Sequence, residues 1–239
     1  MIGMILYGIN PALEAINSKY RELIKVIMIE KDSNNKRLKS LVETAQKLGI
    51  KVRMLDKNVI SSITKTSSHQ GIAFEIEKIL FRDIEDVVKE GKRMVLCDSI
   101  QDPNNLGAIM RNSVLFDFNA VVITKDRSAD ITPSVIKTSS GSFFHIDVVK
   151  VVNLARTIEY LRDNEYYVIG LDADAESDIS SLKVKNKVCI VVGAEGEGIR
   201  ELVKRKCDIL CHIKTTKRID SLNVSVAAAI AMYEIFKNS

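Results

Sequence analysis

The side chains best suited to chemistry fall in three polar segments. These segments are residues 98–111 (DSIQDPNNLGAIMR), 193–198 (GAEGEG) and 214–223 (KTTKRIDSLN). The first offers the amide of Asn105 and the guanidinium of Arg111, and the second offers Glu195 in a glycine-rich turn that lets a ligand approach bare backbone amides. The third is basic and ends with Ser221 and Asn223. This combination predicts a site for a nucleotide-like ligand.

Each of these residues also has an ordinary structural interpretation. Asn105, Ser221 and Asn223 are good helix caps, Arg111 is a typical surface charge, and the glycines suit any tight turn after a strand. The turn does not follow the dinucleotide spacing G-x-G-x-x-G, and the chain has no P-loop motif. None of the three histidines lies in a hydrolase pattern, so the sequence gives hydrolytic chemistry little support.

The three segments are expected at the ends of buried strands. Short apolar runs predict strands at residues 95–97, 188–192 and 209–213, and a long final helix is predicted from about Leu222 to Phe236. Similar runs predict strands at 120–124, 167–171 and, less regularly, 143–148, with helices between them. This alternation favours an α/β fold with a mostly parallel sheet, in which ligands collect at the carboxyl ends of the strands.

The first third of the chain is predicted to be a separate domain. Residues 1–77 alternate between strands and helices as a compact β/α domain, with strands predicted at residues 52–55 and 72–76 among others. Residues 78–92 form a charged linker, and residues 93–239 form the second domain. Residues 1–74 contain 12 Lys+Arg and 6 Asp+Glu, whereas the remaining residues contain 23 and 25. The basic N-terminal part is therefore expected to meet a polyanion, although a solvated lysine-rich surface explains the same numbers.

Composition excludes several classes of protein. The chain has 239 residues and 46% hydrophobic residues, with no apolar run long enough to span a membrane and no signal-peptide pattern, so we expect a cytoplasmic protein. Four cysteines are too few to suggest a disulfide framework. Cys207, Cys211 and His212 lack a convincing fourth ligand, so no metal site is predicted.

The three segments taken together closely resemble the motifs of a known family. The patterns N-N-L-G-x-x-x-R, V-V-G-A-E-G-E-G-I and S-L-N-V-S-V-A, in this order, resemble the SpoU (TrmH) branch of the SPOUT RNA methyltransferases. The resemblance covers residues 93–236. The N-terminal residues Tyr7-Gly8 and 69–72 (HQGI) resemble the small substrate-binding domain of RlmB-type members, which methylate the ribose 2′-hydroxyl of a guanosine in large-subunit ribosomal RNA.

The resemblance implies a fold and a set of site residues. It implies a C-terminal α/β domain with a deep trefoil knot, a cofactor, S-adenosylmethionine, held in the knot, and a homodimer formed through the last helix and the knot. It places cofactor binding at Gly193, Ile213 and Leu222, mainly through the backbone. The positions that it assigns to catalysis are Asn105, Arg111, Glu195, Ser221 and Asn223.

The reaction implied is transfer of the cofactor methyl group to a ribose 2′-oxygen. Guanidinium groups retain their proton in proteins, so Arg111 is expected to grip the RNA phosphate and stabilise the developing alkoxide, with Glu195 holding it in place. The two asparagines and Ser221 are expected to orient the ribose and the loops. Most of the rate gain should come from positioning and electrostatics.

One departure from the family pattern leaves alternatives open. Lys214 and Lys217 stand where the commonest pattern has Pro and Gly, and a side chain there could crowd the cofactor pocket. The intact glycine turn and S-L-N segment favour an active ribosomal RNA methyltransferase. A transfer RNA methyltransferase and an inactive RNA-binding assembly factor are the competing interpretations.

Overall fold

The computed structural model describes residues 3–184, 187–216 and 222–238. It divides into two compact units: the first contains Met1–Leu80 and Ile131–His145, and the second contains Phe81–Asp130 and Ile146–Ser239. The division drawn from the sequence, at residues 77 and 92, stays a prediction. Each unit is described separately below.

The first unit is a four-stranded mixed sheet with helices. Its elements up to residue 80 are β1 (Met4–Tyr7), α1 (Ile9–Ile16), β2 (Ile24–Glu30), α2 (Lys36–Lys47), β3 (Val52–Leu55), α3 (Lys57–Thr64) and β4 (Ile72–Ile76). The strand order is β1-β4-β2-β3, antiparallel except for the parallel pair β2 and β3. The predicted strands 52–55 and 72–76 are confirmed.

The second unit is a seven-stranded sheet with helices. In chain order its elements are α4 (Ile84–Lys89), β5 (Met94–Asp98), α5 (Pro103–Leu115), β6 (Ala120–Thr124), β7 (Asp147–Val151), α7 (Leu154–Asp163), β8 (Tyr167–Leu171), β9 (Ser177–Asp178), β10 (Val188–Gly193), α8 (Glu201–Lys204), β11 (Ile209–His212) and α9 (Val224–Lys237). The helix between β6 and β7, α6 (Pro133–Thr138), belongs to the first unit.

Segment 131–145 completes the aromatic core of the first unit. Phe143 and Phe144 are buried against Tyr20, with ring centroids 5.5 and 5.1 Å away. The predicted strand at residues 143–148 is wrong at its start, because Ser142–His145 form a 3₁₀ turn and the strand begins at Asp147. Packing of the two phenylalanines with Tyr20, more than a hundred positions earlier, explains this difference.

The seven strands of the second unit are parallel wherever they pair, in the order β7-β6-β5-β10-β8-β11-β9. Strands β5, β6 and β10 are buried along their whole length, as expected for parallel strands covered on both faces. The predicted strands 120–124 and 167–171 are confirmed, whereas the two-residue strand β9 was not predicted.

The strand order also brings distant loops to one edge of the sheet. Strand β10 lies between β5 and β8, although it follows both in the chain. The loops after β5 and β10 therefore leave the same edge side by side, and Gly193 pairs in register with Asp98. The third loop, which contains residues 217–221 and completes the expected knot, is only partly within the described residues.

Candidate active site

A buried amide connects the three loops predicted to form the site. Asn105 is only 7% exposed. Its Nδ2 donates to Oε2 of Glu195 at 3.3 Å, and its Oδ1 accepts from Nδ2 of Asn223 at 2.9 Å. These partners are 90 and 118 residues away in the chain. The fold thus brings together three of the residues singled out from the sequence.

The start of α5 explains how Asn105 becomes available for this role. The helix is capped by Asp102, whose carboxylate accepts from the backbone N–H of Asn104 at 2.8 Å, and Pro103 occupies the first helical position. Asn105 therefore does not cap the helix. Its side-chain amide instead forms hydrogen bonds with residues of the two other loops.

Asn223 both caps a helix, as its residue type suggests, and contributes to the cluster around Asn105. Its Oδ1 accepts from the backbone N–H and the hydroxyl of Ser225, at 3.0 and 2.6 Å, and so caps α9. Its Nδ2 makes the hydrogen bond to Asn105. A single amide thus fixes the start of the last helix and links it to α5.

The glycine-rich turn after β10 is a tight hairpin. The backbone N–H of Ala194 donates to the carbonyl of Gly198 at 3.1 Å, and the N–H of Gly198 donates back at 2.8 Å. A Cβ on Gly193 would lie 2.0 Å from the carbonyl carbon of Gly198, whereas Gly196 has a positive φ and open space around its Cβ position. The turn therefore requires glycine at 193 for its own packing.

A second interaction between the first two loops, an ion pair of Asp98 with Arg200, was not predicted from the sequence. Asp98, at the end of β5, is fully buried and accepts hydrogen bonds from both the backbone and the guanidinium of Arg200. An acidic residue that ends an otherwise apolar buried strand is the signal that could have found it, because a buried carboxylate requires a partner.

The remaining predicted residues occupy different environments. Arg111 is exposed on α5, six residues after Asn105, and Glu195 is exposed on the hairpin. Ile213 follows β11 and is half-buried, and Leu222 is 36% exposed. Ser221 and Lys217 lie outside the described residues. The expected contact of Glu195 with Arg111 stays a prediction, since the hydrogen bond described for Glu195 is that with Asn105.

Of the four cysteines, Cys97, Cys189 and Cys211 are buried and Cys207 is half-buried. Burial raises the pKa of Cys97 to about 12, that of Cys207 to about 12 and that of Cys211 to about 11. Within the described residues there is no group of three His, Cys, Asp or Glu side chains placed to hold a metal ion. Nor does this part of the chain contain a helix that could cross a membrane.

Comparison with known families matches both units. The family described as "SpoU rRNA Methylase family" matches residues 92–233, and "RNA 2′-O ribose methyltransferase substrate binding" matches residues 5–81. The chain is 34% identical to the 23S rRNA (guanosine-2′-O-)-methyltransferase RlmB of Xylella fastidiosa, over 96% of this chain and 94% of that protein. It is 32% identical, with the same coverage, to the putative TrmH family tRNA/rRNA methyltransferase YacO of Bacillus subtilis.

Solved structures share the fold. The SpoU methyltransferase AviRb from Streptomyces viridochromogenes, in complex with AdoMet, gives a TM-score of 0.81 at 18% identity, over 98% of this chain and 89% of that chain. The AdoMet-bound rRNA methyltransferase from Sinorhizobium meliloti gives 0.80 at 21% identity, over 97% and 86%. The α/β fold with an N-terminal substrate-binding domain and a C-terminal SPOUT methyltransferase domain is thereby confirmed.

Proposed function

The chain belongs to the SpoU methyltransferase family, and we propose that it methylates the ribose 2′-oxygen of a guanosine in large-subunit ribosomal RNA. As a member of this family it is an RNA 2′-O-methyltransferase that uses S-adenosylmethionine. The guanosine and the ribosomal RNA are the proposed part. They are supported by the 34% identity to the Xylella RlmB over nearly the whole of both chains.

The observation that carries the proposal is the amide of Asn105 between Glu195 and Asn223. It holds a polar cluster at the carboxyl edge of a parallel sheet, where such folds bind their ligands. A cluster fixed by hydrogen bonds between loops is preorganised, so little reorganisation is needed when the ribose arrives. This arrangement suits a reaction in which positioning does most of the work.

The residues around this cluster fit the cofactor. Ile213 and Leu222 offer partly exposed apolar side chains for a purine ring, and the tip of the hairpin, residues 195–197, is exposed. Nδ1 of His212, directly before Ile213, is buried without a hydrogen-bond partner among the described residues. We propose that Gly193, Ile213 and Leu222 hold S-adenosylmethionine, which supplies an electrophilic methyl group when bound.

The chain must then hold the ribose while its 2′-hydroxyl loses its proton to water and its oxygen accepts the methyl group, and it must stabilise the charge that develops on that oxygen. We propose that Arg111, exposed on α5, binds the neighbouring RNA phosphate and stabilises the alkoxide as it develops. Asn105, Glu195 and Asn223 fix the loops around the ribose. Ser221 is proposed to orient the ribose through its hydroxyl.

Recognition of RNA is assigned to the first unit. Exposed basic side chains lie on α2, on β3 and directly before β3, namely Lys36, Lys39, Lys47, Lys51 and Arg53. A surface of this kind binds phosphates without reading sequence, and its affinity falls steeply with salt. The match of residues 5–81 to a substrate-binding family supports this assignment.

A homodimer is proposed through α9. Leu115, Tyr233 and Phe236 are 62%, 47% and 46% exposed, and the rings of Tyr233 and Phe236 lie 5.8 and 6.2 Å from that of Phe116. They form a contiguous apolar surface on α5 and α9, of the kind that marks an interface. We propose that a second copy of the chain covers this surface. A methyltransferase of ribosomal RNA would act in the cytoplasm, where the ribosome is assembled.

The function is tested by methylation in vitro. The purified protein is incubated with methyl-labelled S-adenosylmethionine and, separately, with deproteinised large-subunit ribosomal RNA, small-subunit ribosomal RNA and transfer RNA. Digestion to nucleosides should yield labelled 2′-O-methylguanosine from the large-subunit RNA. The Arg111→Ala variant should bind the cofactor normally but transfer no label. Label on a base, or on transfer RNA alone, would overturn the proposal.

A further inference from the structure

The glycine hairpin of residues 194–198, which follows Gly193, is held at its far end by an ion pair in which only the carboxylate is fully buried. Nε and Nη2 of Arg200 lie 2.7 and 2.6 Å from Oδ1 of Asp98, and the backbone N–H of Arg200 donates to Oδ2 at 2.9 Å. The Asp98 side chain is fully buried, whereas that of Arg200 is 42% exposed. Both carboxylate oxygens are therefore used to hold one residue.

The ion pair lies where it can fix the conformation of the hairpin. Asp98 pairs in register with Gly193, the residue before the hairpin, and Arg200 lies two residues after Gly198, where the hairpin ends. Within the hairpin, the paired backbone groups of Ala194 and Gly198 hold the two sides together. The path of the loop is thus fixed at both ends against the same rigid strand, β5.

We infer that Asp98 and Arg200 are positioning residues for S-adenosylmethionine: their ion pair holds the hairpin in the conformation that binds the cofactor. Neither residue needs to touch the cofactor for this role. The inference rests on the use of the cofactor and on the proposed placement of the cofactor at Gly193. It does not depend on which RNA is methylated.

The expected effect follows from the population of the binding conformation. Removal of the guanidinium leaves the buried carboxylate with the backbone N–H of residue 200 as its one donor among the described residues. The ion pair that holds residues 194–200 against β5 is then lost. If the hairpin then adopts the required conformation about a tenth of the time, the apparent Kd for the cofactor rises about tenfold. Amides of the hairpin also become more accessible to exchange.

The chain contains a closely matched control. Nε of Arg162 lies 2.7 Å from Oδ1 of Asp208, whose Oδ2 accepts from the backbone N–H of Val168 at 2.8 Å. Arg162 is 45% exposed, close to the value for Arg200, whereas Asp208 is 20% exposed and Asp98 is fully buried. This pair lies at the amino ends of β8 and β11, the opposite edge of the sheet from the hairpin.

The test compares Arg200→Gln with Arg162→Gln. Calorimetry with S-adenosylmethionine and hydrogen exchange of residues 194–199 are measured on both full-length variants, without RNA. We expect Arg200→Gln to weaken cofactor binding about tenfold and to increase exchange in the hairpin, and Arg162→Gln to stay within about twofold. Arg200→Lys, which keeps the charge but loses the fork geometry, should fall between wild type and Arg200→Gln.

Each outcome decides the inference. Normal cofactor affinity in Arg200→Gln, or an equal loss in Arg162→Gln, would overturn it. If Arg200→Gln does not fold, Arg200→Lys decides, since weakened binding with a protected core supports the inference and normal binding rejects it. Because no RNA is present, failure here is distinct from failure to methylate ribosomal RNA.

Discussion

Substitution of Gly193 by alanine should damage the hairpin through a direct clash. The added Cβ would lie 2.0 and 2.1 Å from the carbonyl carbon and oxygen of Gly198, and 2.2 Å from the nitrogen of Ile199. All three are backbone atoms, so no side-chain rotation relieves the contact. To reach the 3.4 Å of ordinary contact the backbone must retreat by roughly 1.4 Å.

The cost can be worked from what this retreat disrupts. Two backbone hydrogen bonds between Ala194 and Gly198 would be lost, at about 1 kcal/mol each, and crowding adds about 1–3 kcal/mol. We therefore expect Gly193→Ala to lower the free energy of unfolding by about 3–5 kcal/mol, or to keep the fold by displacing the hairpin. In both cases binding of S-adenosylmethionine should be lost.

The assay combines urea unfolding with calorimetry. Gly91→Ala is the control, because Gly91 also lies in the second unit but has open space around its Cβ position and a φ of +67°. It should cost only the backbone strain of about 1–2 kcal/mol and leave cofactor binding unchanged. A Gly193→Ala protein that unfolds like wild type and binds the cofactor normally would refute the steric argument.

Four further predictions concern catalysis, pH, assembly and RNA binding. Asn105→Asp replaces the donor to Glu195 with a second carboxylate, so kcat should fall about a hundredfold, and Glu195→Gln added to it should restore part of the rate; no change in kcat would contradict the proposed role. Burial raises the pKa of Cys97 from 9.0 to about 12, so the folded state keeps a proton that the unfolded chain loses, and the stability is full below about pH 9 and falls as the pH rises towards 12. Cys97→Ala should flatten the loss of unfolding free energy measured over that range, and an unchanged slope would contradict this. Tyr233→Lys should convert a dimer to a monomer in light scattering, and an unaltered mass would exclude α9 as the interface. Lys36→Glu with Lys39→Glu should weaken RNA binding and reduce its salt dependence without affecting cofactor affinity, whereas an unchanged salt slope would place the RNA elsewhere.

Local pattern was sufficient for most of the elements. Apolar runs bounded by polar residues predicted β3, β4, β6 and β8 with their observed ends. The prediction of a strand at Phe143–Val148 was wrong at its start because Phe143 and Phe144 pack against Tyr20 in the core of the first unit. Local periodicity does not report such a distant contact.

The candidate site was predictable in part. The residues of the three loops were identified from their types and from a family resemblance, and capping of α9 by Asn223 follows from the residue type alone. The cap of α5 is Asp102 and not Asn105, because Pro103 occupies the first helical position and the capping residue directly precedes it. The need of Asp98 for a partner could be inferred from its place at the end of a buried strand, but not the identity of that partner, because Arg200 is 102 positions further along the chain.

The sequence by itself determined most of the strands and helices, where the three site loops fall and which side chains those loops carry. The tertiary structure decided which loops meet. Insertion of β10 between β5 and β8 places Gly193 beside Asp98 and brings Glu195 and Asn223 to the buried amide of Asn105. The physical reason is that periodicity records only the burial of each residue, whereas strand order depends on the packing of the whole sheet.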